Sequence, residues 1–389
     1  MPRSAEPRNV AVVHDWLVEM AGAERVLEQI LALYPQATLY TLIDKLSAAD
    51  NARLPRARTV TSFLDRLPQV ARYFTRCLPL MPLAVQQFDL SGHDLIISNS
   101  HCVAKGVITP PDALHLSYCC SPMRYAWDMQ GATLRTEGLD RGLKGVLARL
   151  MMHRLRRWDA TSTNGVDHIA ADSCFVQARV LKAWRRESVV IHPPVDLQAL
   201  APGPPPARIP KRCVTVGRLI GYKNVALMLD AFRLLPEHEL VVVGSGPLDS
   251  SLRRSAPPNV RFTGFLPQAQ VQAQIQQAGA FIFAAVEDFG IAPVEALALG
   301  TPVVALARGG ALDYLQRDHN AWLFDEATPG ALAAAVRQAD GAWSHDVPAR
   351  CIASAQGFGA ERFRAEFSAW VQGHWAAWLA GSVGKTPAS

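Results

Sequence analysis

Short apolar runs alternate with helical patterns along most of this 389-residue chain. The runs have the length of buried strands, and between them apolar residues recur at helical spacing, as Val26, Leu27 and Ile30 do. Strands that are separated by helices pair in parallel through right-handed crossovers. The alternation therefore predicts an α/β fold with parallel sheets, and such sheets bind ligands at the carboxyl ends of their strands.

The predicted strands fall into two groups. The first is residues 10–13, 38–43, 94–98, 114–119, 168–171 and 189–192; the second is residues 213–216, 239–243, 260–263, 280–284 and 302–305. Residues 201–210 between them contain five prolines, which exclude a helix or a central strand. We therefore predict two Rossmann-like domains facing a cleft, residues 1–200 and 211–356, joined by a semi-rigid linker. Residues 357–389 are predicted to hold a C-terminal helix.

The composition excludes several classes of protein. Hydrophobic residues make up 49% of the chain and charged residues 19%, so a soluble core can form and extensive disorder is excluded. The seven cysteines include no CxxC pair and their number is odd, which favours a reducing cytoplasm over a disulfide or zinc framework. We find no secretory signal and no membrane span of about 18 residues.

Two cations follow the first strand of the second group. Gly217 opens a turn, and Arg218 and Lys223 stand five residues apart just before a predicted helix. An arginine fork and a lysine ammonium suit a diphosphate, although two solvated surface cations fit this segment equally well. The nearby glycines Gly244 and Gly246 lack the third glycine of a dinucleotide motif, so they predict no NAD site.

A pair of carboxylates marks another strand end. Glu287 follows the fourth predicted strand of the second group, and Glu295 lies within the helix after it. The backbone N–H groups at the start of that helix would attract a phosphate; they belong to Phe289, Gly290 and Ile291. A single glutamate here would only complement the helix dipole, but two at this spacing indicate a ligand, because a carboxylate accepts two sugar hydroxyls.

Residues 287–305 read EDFGIAPVEALALGTPVVA and contain the spacing E-x7-E. Together with Gly217, Arg218 and Lys223, this segment resembles the retaining glycosyltransferases of family 4, which have the GT-B fold. VVHDWL followed by AGAERV is similar to the family's first strand and GGxE turn, with Ala21 in place of the first glycine. Three further segments resemble the branch of the family that contains bacterial O-antigen and exopolysaccharide mannosyltransferases. They are residues 94–106, 121–128 and 192–196.

The resemblance implies a donor site in the second domain. Arg218 and Lys223 would neutralise the donor diphosphate and assist its departure. Glu295 would hold the ribose hydroxyls, Glu287 would face the transferred sugar, and the nucleobase would lie near Leu266. These groups can meet the diphosphate charge without a divalent cation. We therefore expect no metal and no cofactor besides the nucleotide sugar.

The resemblance also implies contacts from the first domain, to which the C-terminal helix is expected to cross back. Gly22 would let the backbone approach the diphosphate closely. His101, just past the predicted strand at residues 94–98, matches a histidine near the transferred sugar; an ordinary loop histidine is the alternative. His14, beside Asp15 after the first strand, is the second candidate for this contact.

A basic amphipathic helix is predicted at residues 141–158. Its apolar side chains are Leu143, Val146, Leu147, Leu150, Met151, Leu155 and Trp158, and basic residues crowd the remainder. Such a helix suits an anionic membrane surface, as does the net charge of +5, and the proposed anchors are Arg149, Arg154, Arg156 and Arg157. A helix whose apolar face is core fits the pattern equally well. Nucleic acid is not an expected partner, because stacking aromatics do not interleave with the cations.

The resemblance implies a peripheral enzyme on the inner face of the cytoplasmic membrane. It would move a hexose with retention onto a polyprenyl-diphosphate-linked glycan or an oligosaccharide, in lipopolysaccharide or exopolysaccharide synthesis. GDP-mannose is the favoured donor and a UDP-hexose its main rival. A non-catalytic GT-B scaffold that binds lipid-linked glycan stays open, and a sugar-nucleotide epimerase of the same fold has less support.

Overall fold

The structure is a computed structural model that describes residues 6–200 and 207–383. Residues 201–206 of the predicted linker therefore lie outside the described residues. The chain divides into two units. The first is formed by two stretches of the chain, one up to Pro194 and one from Glu361, and the second is Val195–Ala360. Each unit has its own parallel sheet.

The first unit is built on a seven-stranded sheet. Its strands are β1 (Val10–His14), β2 (Thr38–Thr41), β3 (Arg58–Thr61), β4 (Leu95–Ser100), β5 (Leu114–Cys119), β6 (His168–Ala171) and β7 (Val189–Val190). They pair in parallel in the order β3-β2-β1-β4-β5-β6-β7. The helices are α1 (Gly22–Leu33), α2 (Ala48–Ala52), α3 (Met81–Gln86), α4 (Gln130–Thr136), α5 (Gly142–Thr161) and α6 (Cys174–Trp184).

The second unit repeats this plan with six strands. They are β8 (Arg212–Val216), β9 (Glu239–Val243), β10 (Val260–Gly264), β11 (Ala280–Phe283), β12 (Val303–Leu306) and β13 (Ala321–Phe324), parallel in the order β10-β9-β8-β11-β12-β13. The helices are α7 (Val225–Arg233), α8 (Asp249–Ser255), α9 (Gln268–Gln277), α10 (Ile291–Ala298), α11 (Pro329–Gly341) and α12 (Val347–Ala355). Short 3-10 helices in the two units are Phe63–Arg66, Val70–Arg72, Phe74–Leu80, Ala104–Gly106, Ser162–Gly165, Gly221–Lys223, Gly310–Asp313 and Gln356–Phe358.

The last helix, α13 (Ala360–Val383), packs on the first unit. Its buried residues Phe363, Phe367, Val371 and Trp375 join the core around β1, β4 and β5. The rings of Phe363 and Phe367 lie 5.7 and 6.2 Å from that of Tyr118, at the centre of this core. None of the helices in the described part of the chain combines the length and the apolar composition needed to cross a membrane.

Most predicted strands occur within one or two residues of their predicted bounds, but β3 and β13 were not predicted. β3 is a partly exposed edge strand with the sequence RTVT, which lacks a continuous apolar run. β13 has four residues. β7 is shorter than the predicted strand 189–192, because His192 is followed by two prolines that cannot donate to a neighbouring strand.

The second unit begins before the predicted linker. Val195 and Leu200 are buried in the core of the second unit, where the predicted division placed both in the first domain. The N–H of Val195 also donates to the carbonyl of Phe358, at the other end of the unit. The proline-rich segment therefore lies inside the second unit in sequence, and the division between units falls at Pro194.

Two glycines after β9 allow the backbone to touch the loop after β8. A Cβ at Gly244 would lie 2.0 Å from the carbonyl oxygen of Gly217, and one at Gly246 would lie 2.5 Å from that of Leu219. The Leu219 N–H donates to the Ser245 carbonyl at 2.9 Å. The two glycines of the sequence GSG are thus needed for the contact between the two loops.

We predict that Gly244→Ala destabilises the second unit by about 2–3 kcal/mol, because its Cβ overlaps backbone and its φ of +127° disfavours a side chain. The measurement is the free energy of unfolding in urea. Gly341→Ala is the control: no atom lies within 4 Å of the added Cβ, and a change below about 1 kcal/mol is expected at a helix end. Equal stability of Gly244→Ala and the wild type would contradict the close contact.

Candidate functional site

The site in the second unit lies where its strand order reverses. β8 and β11 are neighbours in the sheet, and the chain leaves them in opposite directions, towards β9 and towards β12. Such a point leaves a space at the carboxyl ends of the strands in which ligands bind. Gly217 and Arg218 directly follow β8, and the loop with Glu287 follows β11.

Lys223 and Glu287 form an ion pair at this edge of the sheet. The Lys223 ammonium contacts the Glu287 carboxylate, and each side chain is about one-fifth exposed. A Cβ at Gly217 would lie 3.7 Å from Lys223 Nζ, so the lysine passes directly over the glycine backbone. The pair therefore brings together two residues that the sequence placed in one site, although they are 64 positions apart.

Asn224 holds the two strand ends together, although it is absent from the predicted site. Its Nδ2 donates to the carbonyl of Ala284 at 2.8 Å, which joins the start of α7 to the end of β11. Its φ is +54°, a conformation that asparagine tolerates better than most residues. The signal was the asparagine directly before a predicted helix, a position at which this residue type is common.

Two exposed arginines stand near the ion pair. Arg218 is exposed, and no ion-pair partner is found for it among residues 6–200 and 207–383. Arg308 is also exposed and directly follows the residue after β12, the strand beside β11. Arg308 is absent from the predicted site, although a cation at a strand end is the same signal that indicates Arg218. Among the described residues neither guanidinium group has an ion-pair partner that it would have to leave in order to receive an anion.

The start of α10 is fixed by a buried tyrosine. Tyr314 donates to the carbonyls of Gly290 and Phe289 at 2.5 and 3.2 Å. Burial raises the pKa of Tyr314 well above its usual value of 10, and the negative charge of Glu287 adds to this rise, so the hydroxyl stays protonated as a donor. Gly290 has a φ of +87° and precedes the first residue of the helix, Ile291. This geometry orients the backbone of the helix start that the sequence selected.

Two further glycines pack closely against the backbone of the loop that carries Glu287. A Cβ at Gly310 would lie 1.7 Å from the carbonyl oxygen of Asp288, and one at Gly309 would lie 2.8 Å from that of Glu287. The Gly310 N–H donates to the Glu287 carbonyl at 2.9 Å. The segment after β12 therefore fixes the backbone of the loop that carries Glu287. The spacing of residues within that loop could not indicate this contact.

The remaining predicted residues of this unit are partly buried. Glu295 lies within α10, one turn after its start. Leu266 follows β10, and its partly buried side chain packs against the core of the unit. Its neighbour Phe265 is 82% exposed, an apolar ring in solvent at a strand end that the sequence analysis did not weigh.

The first unit has its own reversal of strand order, between β1 and β4. His14 ends β1 and is fully buried. Its Nε2 lies 3.2 Å from the Glu24 carboxylate, and its Nδ1 lies 3.3 Å from the carbonyl of Asn99. Glu24 also accepts the N–H of Ala21 at 3.0 Å, which caps the helix that begins at Gly22. His14 is thus committed to internal hydrogen bonds, whereas His101 is one-quarter exposed.

The contact between His14 and Glu24 shifts the pKa of both side chains. Burial would lower the pKa of His14, but the hydrogen bond and the charge of Glu24 raise it above its usual value of 6.5. Burial would raise the pKa of Glu24, but the hydrogen bond and charge of His14 lower it below its usual value of 4.5. Each group therefore favours the ionised form of the other.

Asp15 shapes the loop that carries His101. Its buried carboxylate accepts the N–H groups of four successive residues at 2.6–2.9 Å; they are His101, Cys102, Val103 and Ala104. The Nδ1 of His101 lies 3.1 Å from the same carboxylate, at ion-pair distance but without hydrogen-bond geometry. The edge of the His101 ring meets Trp16, with centroids 4.5 Å apart. The sequence named Asp15 only as a neighbour of His14 and missed this contact.

A buried ion pair lies behind this loop. The Lys105 ammonium contacts the Asp159 carboxylate of α5 at 2.8 Å, and both side chains are fully enclosed. Asp159 also accepts the indole N–H groups of Trp127 and Trp184, each at 2.7 Å. A buried charge of this kind is tolerated only because its partner and hydrogen bonds are complete. The pair therefore joins α5 firmly to the segment that follows His101.

The predicted residues thus form two sets, each described within its own unit. Gly217, Arg218, Lys223 and the loop of Glu287 lie at the carboxyl edge of the second sheet, and Gly22 and His101 lie at that of the first. No group of three or more His, Cys, Asp or Glu residues in the described ranges has the arrangement of a metal site.

Residues 206–353 match the family described as Glycosyl transferases group 1, within the second unit. Over 141 residues the chain is 27% identical to Amylovoran biosynthesis glycosyltransferase AmsK of Erwinia amylovora, which covers 32% of this chain and 35% of that protein. Over 201 residues it is 28% identical to GDP-mannose-dependent alpha-(1-6)-phosphatidylinositol monomannoside mannosyltransferase of Mycolicibacterium smegmatis, covering 44% and 53%. The chain spans about a third to a half of the length of these curated relatives.

Among solved structures, Anabaena HepE in complex with UDP superposes with a TM-score of 0.66, over 94% of this chain and 100% of that one, at 16% identity. Identity this low shows the fold alone. The two Rossmann-like units with parallel sheets, together with this likeness, confirm the predicted GT-B fold class. The group 1 match and the relatives further support a glycosyltransferase.

We predict that Glu24→Gln lowers the free energy of unfolding in a pH-dependent way. The contribution of His14 to the free energy of unfolding is complete below pH 6.5 and is lost as the pH rises through its raised pKa. The contribution of Glu24 is complete above pH 4.5 and is lost as the pH falls through its lowered pKa. The loss should therefore be greatest between these values, about 1–3 kcal/mol, and smaller near about pH 8.

The measurement is urea unfolding of the wild type and the variant at several pH values. Glutamine keeps an oxygen that can accept the Ala21 N–H, so the variant removes mainly the charge. Glu19→Gln is the matched control, because Glu19 is exposed and the same change there leaves the buried pair intact. A loss that is the same at every pH would show that the His14–Glu24 ion pair does not contribute.

Proposed function

We propose that this protein is a retaining glycosyltransferase that transfers a hexose from a nucleotide sugar in bacterial surface polysaccharide synthesis. The observation that carries the proposal is the Lys223–Glu287 ion pair beside exposed Arg218, at the strand reversal of the second sheet. A diphosphate offers Lys223 a doubly charged partner in place of one carboxylate. Its arrival frees the Glu287 oxygens to accept sugar hydroxyls.

GDP-mannose is the proposed donor, and a UDP-hexose is the alternative. The sequence resembles the mannosyltransferase branch, and the Mycolicibacterium smegmatis relative is named for its dependence on GDP-mannose. HepE has been solved with UDP-glucose, but at 17% identity this likeness carries no argument about the donor. The sequence and the Mycolicibacterium smegmatis relative therefore favour GDP-mannose.

The proposed acceptor is a glycan linked to polyprenyl diphosphate, or an oligosaccharide. The Erwinia amylovora relative is named for amylovoran biosynthesis, which supports a role in polysaccharide assembly. An acceptor of this kind is held in a membrane by its lipid, and the enzyme would act at the inner face of the cytoplasmic membrane. His101 is the proposed contact of the first unit to the transferred sugar, because its ring is partly exposed while that of His14 is enclosed.

The proposed reaction takes place on one face of the sugar. The bond from the anomeric carbon to the diphosphate oxygen breaks, and the acceptor oxygen bonds to the same face, so the configuration is retained. The leaving phosphate oxygen takes the proton of the acceptor hydroxyl. Arg218 and Lys223 stabilise the charge that develops on the diphosphate, and Glu295 holds the ribose hydroxyls. No metal or cofactor besides the donor is proposed.

We predict that GDP raises the unfolding temperature of the second unit and that UDP, ADP and dTDP do not. A ligand at 100 times its dissociation constant adds about 2.7 kcal/mol, which is about 5–10 °C for a domain of this size. Glu295→Ala should abolish the shift, because the ribose contact is lost. The measurement is thermal unfolding with each nucleotide at about 1 mM.

A shift with UDP alone would replace the proposed donor but keep the enzyme class. No shift with any of the four nucleotides would contradict the donor site and favour a non-catalytic scaffold for lipid-linked glycan. Circular dichroism without ligand checks that Glu295→Ala is folded.

We predict that Lys223→Ala and Arg218→Ala each lower turnover of the donor by about 10²–10³, the loss expected for one electrostatic stabiliser of the leaving group. The measurement is release of the nucleoside diphosphate with and without acceptor. Arg254→Ala, which removes an exposed charge from α8 of the same unit, should leave the rate unchanged. Wild-type turnover in a folded Lys223→Ala protein would overturn the assignment.

A further inference from the structure

The first turns of α5 carry apolar side chains that the described structure leaves in solvent. Leu143, Val146, Leu147 and Leu150 are between 53% and 76% exposed. Their spacing of three and four residues places them on one face of the helix. Scattered exposed leucines are normal on a protein surface, but four neighbours on one helix face form a continuous apolar patch.

The sequence predicted one apolar face for this helix, and the structure divides it in two. Leu155 is buried in the first unit's core, with Met151 and Trp158 packed partly buried against that core. Met152 is also buried in this core, and Ala148 is buried on the same side of the helix. The predicted alternatives, core helix and exposed amphipathic helix, therefore apply to different faces of α5.

The exposed face changes from apolar to basic along the helix. The next positions on it after Leu150 are His153, Arg154 and Arg157, all exposed. Within α5 the single carboxylate, Asp159, is buried and already paired with Lys105. The described charges nearest the start of the helix include Glu137 and Asp140, and Asp140 lies 3.6 Å from Arg141.

Not every arginine of the helix is available to a partner. The guanidinium of Arg156 donates to the carbonyl of Ala126 and to the side chain of Gln130, which fixes it within the unit. Arg149 donates to the carbonyl of Asp140 at 2.9 Å. Of the four predicted anchors, Arg154 and Arg157 are therefore the two that extend the exposed face.

We propose that this face of α5 docks on an anionic phospholipid surface. Leu143, Val146, Leu147 and Leu150 would enter the boundary between headgroups and acyl chains, and the guanidinium groups of Arg154 and Arg157 would meet anionic headgroups. The two cations that continue the apolar face match the charge of an anionic headgroup layer, and a second copy of the chain is the alternative occupant that the test separates. The proposal is independent of the transferase activity, since it concerns binding to lipid without donor or acceptor.

The test is co-sedimentation of the full chain with vesicles of phosphatidylcholine, alone or mixed with phosphatidylglycerol. We expect binding to the mixed vesicles that weakens as salt rises. Leu143→Gln with Leu147→Gln should weaken it about tenfold or more, because both side chains would otherwise leave water. Arg154→Gln with Arg157→Gln should remove most of the preference for phosphatidylglycerol.

The matched control is Leu181→Gln, which replaces a leucine of similar exposure on α6 of the same unit and should leave binding unchanged. All these positions are exposed, so the variants keep the core intact. Wild-type binding by the Leu143/Leu147 variant would overturn the proposal. So would an absence of vesicle binding together with a concentration-dependent dimer that this variant abolishes, which would assign the face to a second copy.

Discussion

In the second unit, the loops after β8 and β11 are held by glycines whose backbones they touch directly. Gly244 and Gly246 meet the first loop, and Gly309 and Gly310 meet the second. Contacts this close leave no room for a side chain, so the positions of Lys223 and Glu287 depend on four residues that contribute no chemistry of their own. In the first unit the loop of His101 is fixed in another way, by the buried carboxylate of Asp15, which accepts four backbone N–H groups.

The strands could largely be predicted because most are buried on both faces and read as continuous apolar runs. β3 escaped because an edge strand can be polar. β13 is an apolar run as long as those of β11 and β12, and its sequence gives no reason for its having been missed. The division between units escaped for another reason. Prolines mark where regular structure stops, but the boundary at Pro194 is set by packing of Val195 and Leu200 in the second core, which composition does not record.

The site was predictable to the extent that its residues follow strand ends. Arg218, Lys223 and Glu287 were selected on that rule, and topology brings the last two together across 64 positions. Asn224 and the role of Asp15 were missed because their partners, Ala284 and residues 101–104, are distant in the sequence. Local spacing can indicate which residues carry charge, whereas the contacts that orient them follow only from the strand order.

Helix α5 shows why an apolar pattern alone cannot separate a core from a lipid-facing surface. Apolar residues recur three and four positions apart on both its exposed and its buried face, yet Leu155 is buried and Leu147 is exposed. The buried face is also the face fixed by Asp159, whose partner Lys105 follows the loop of His101. Because a buried pair of this kind is costly to separate, any surface that holds the exposed face of α5 also holds the His101 loop at a fixed distance from itself.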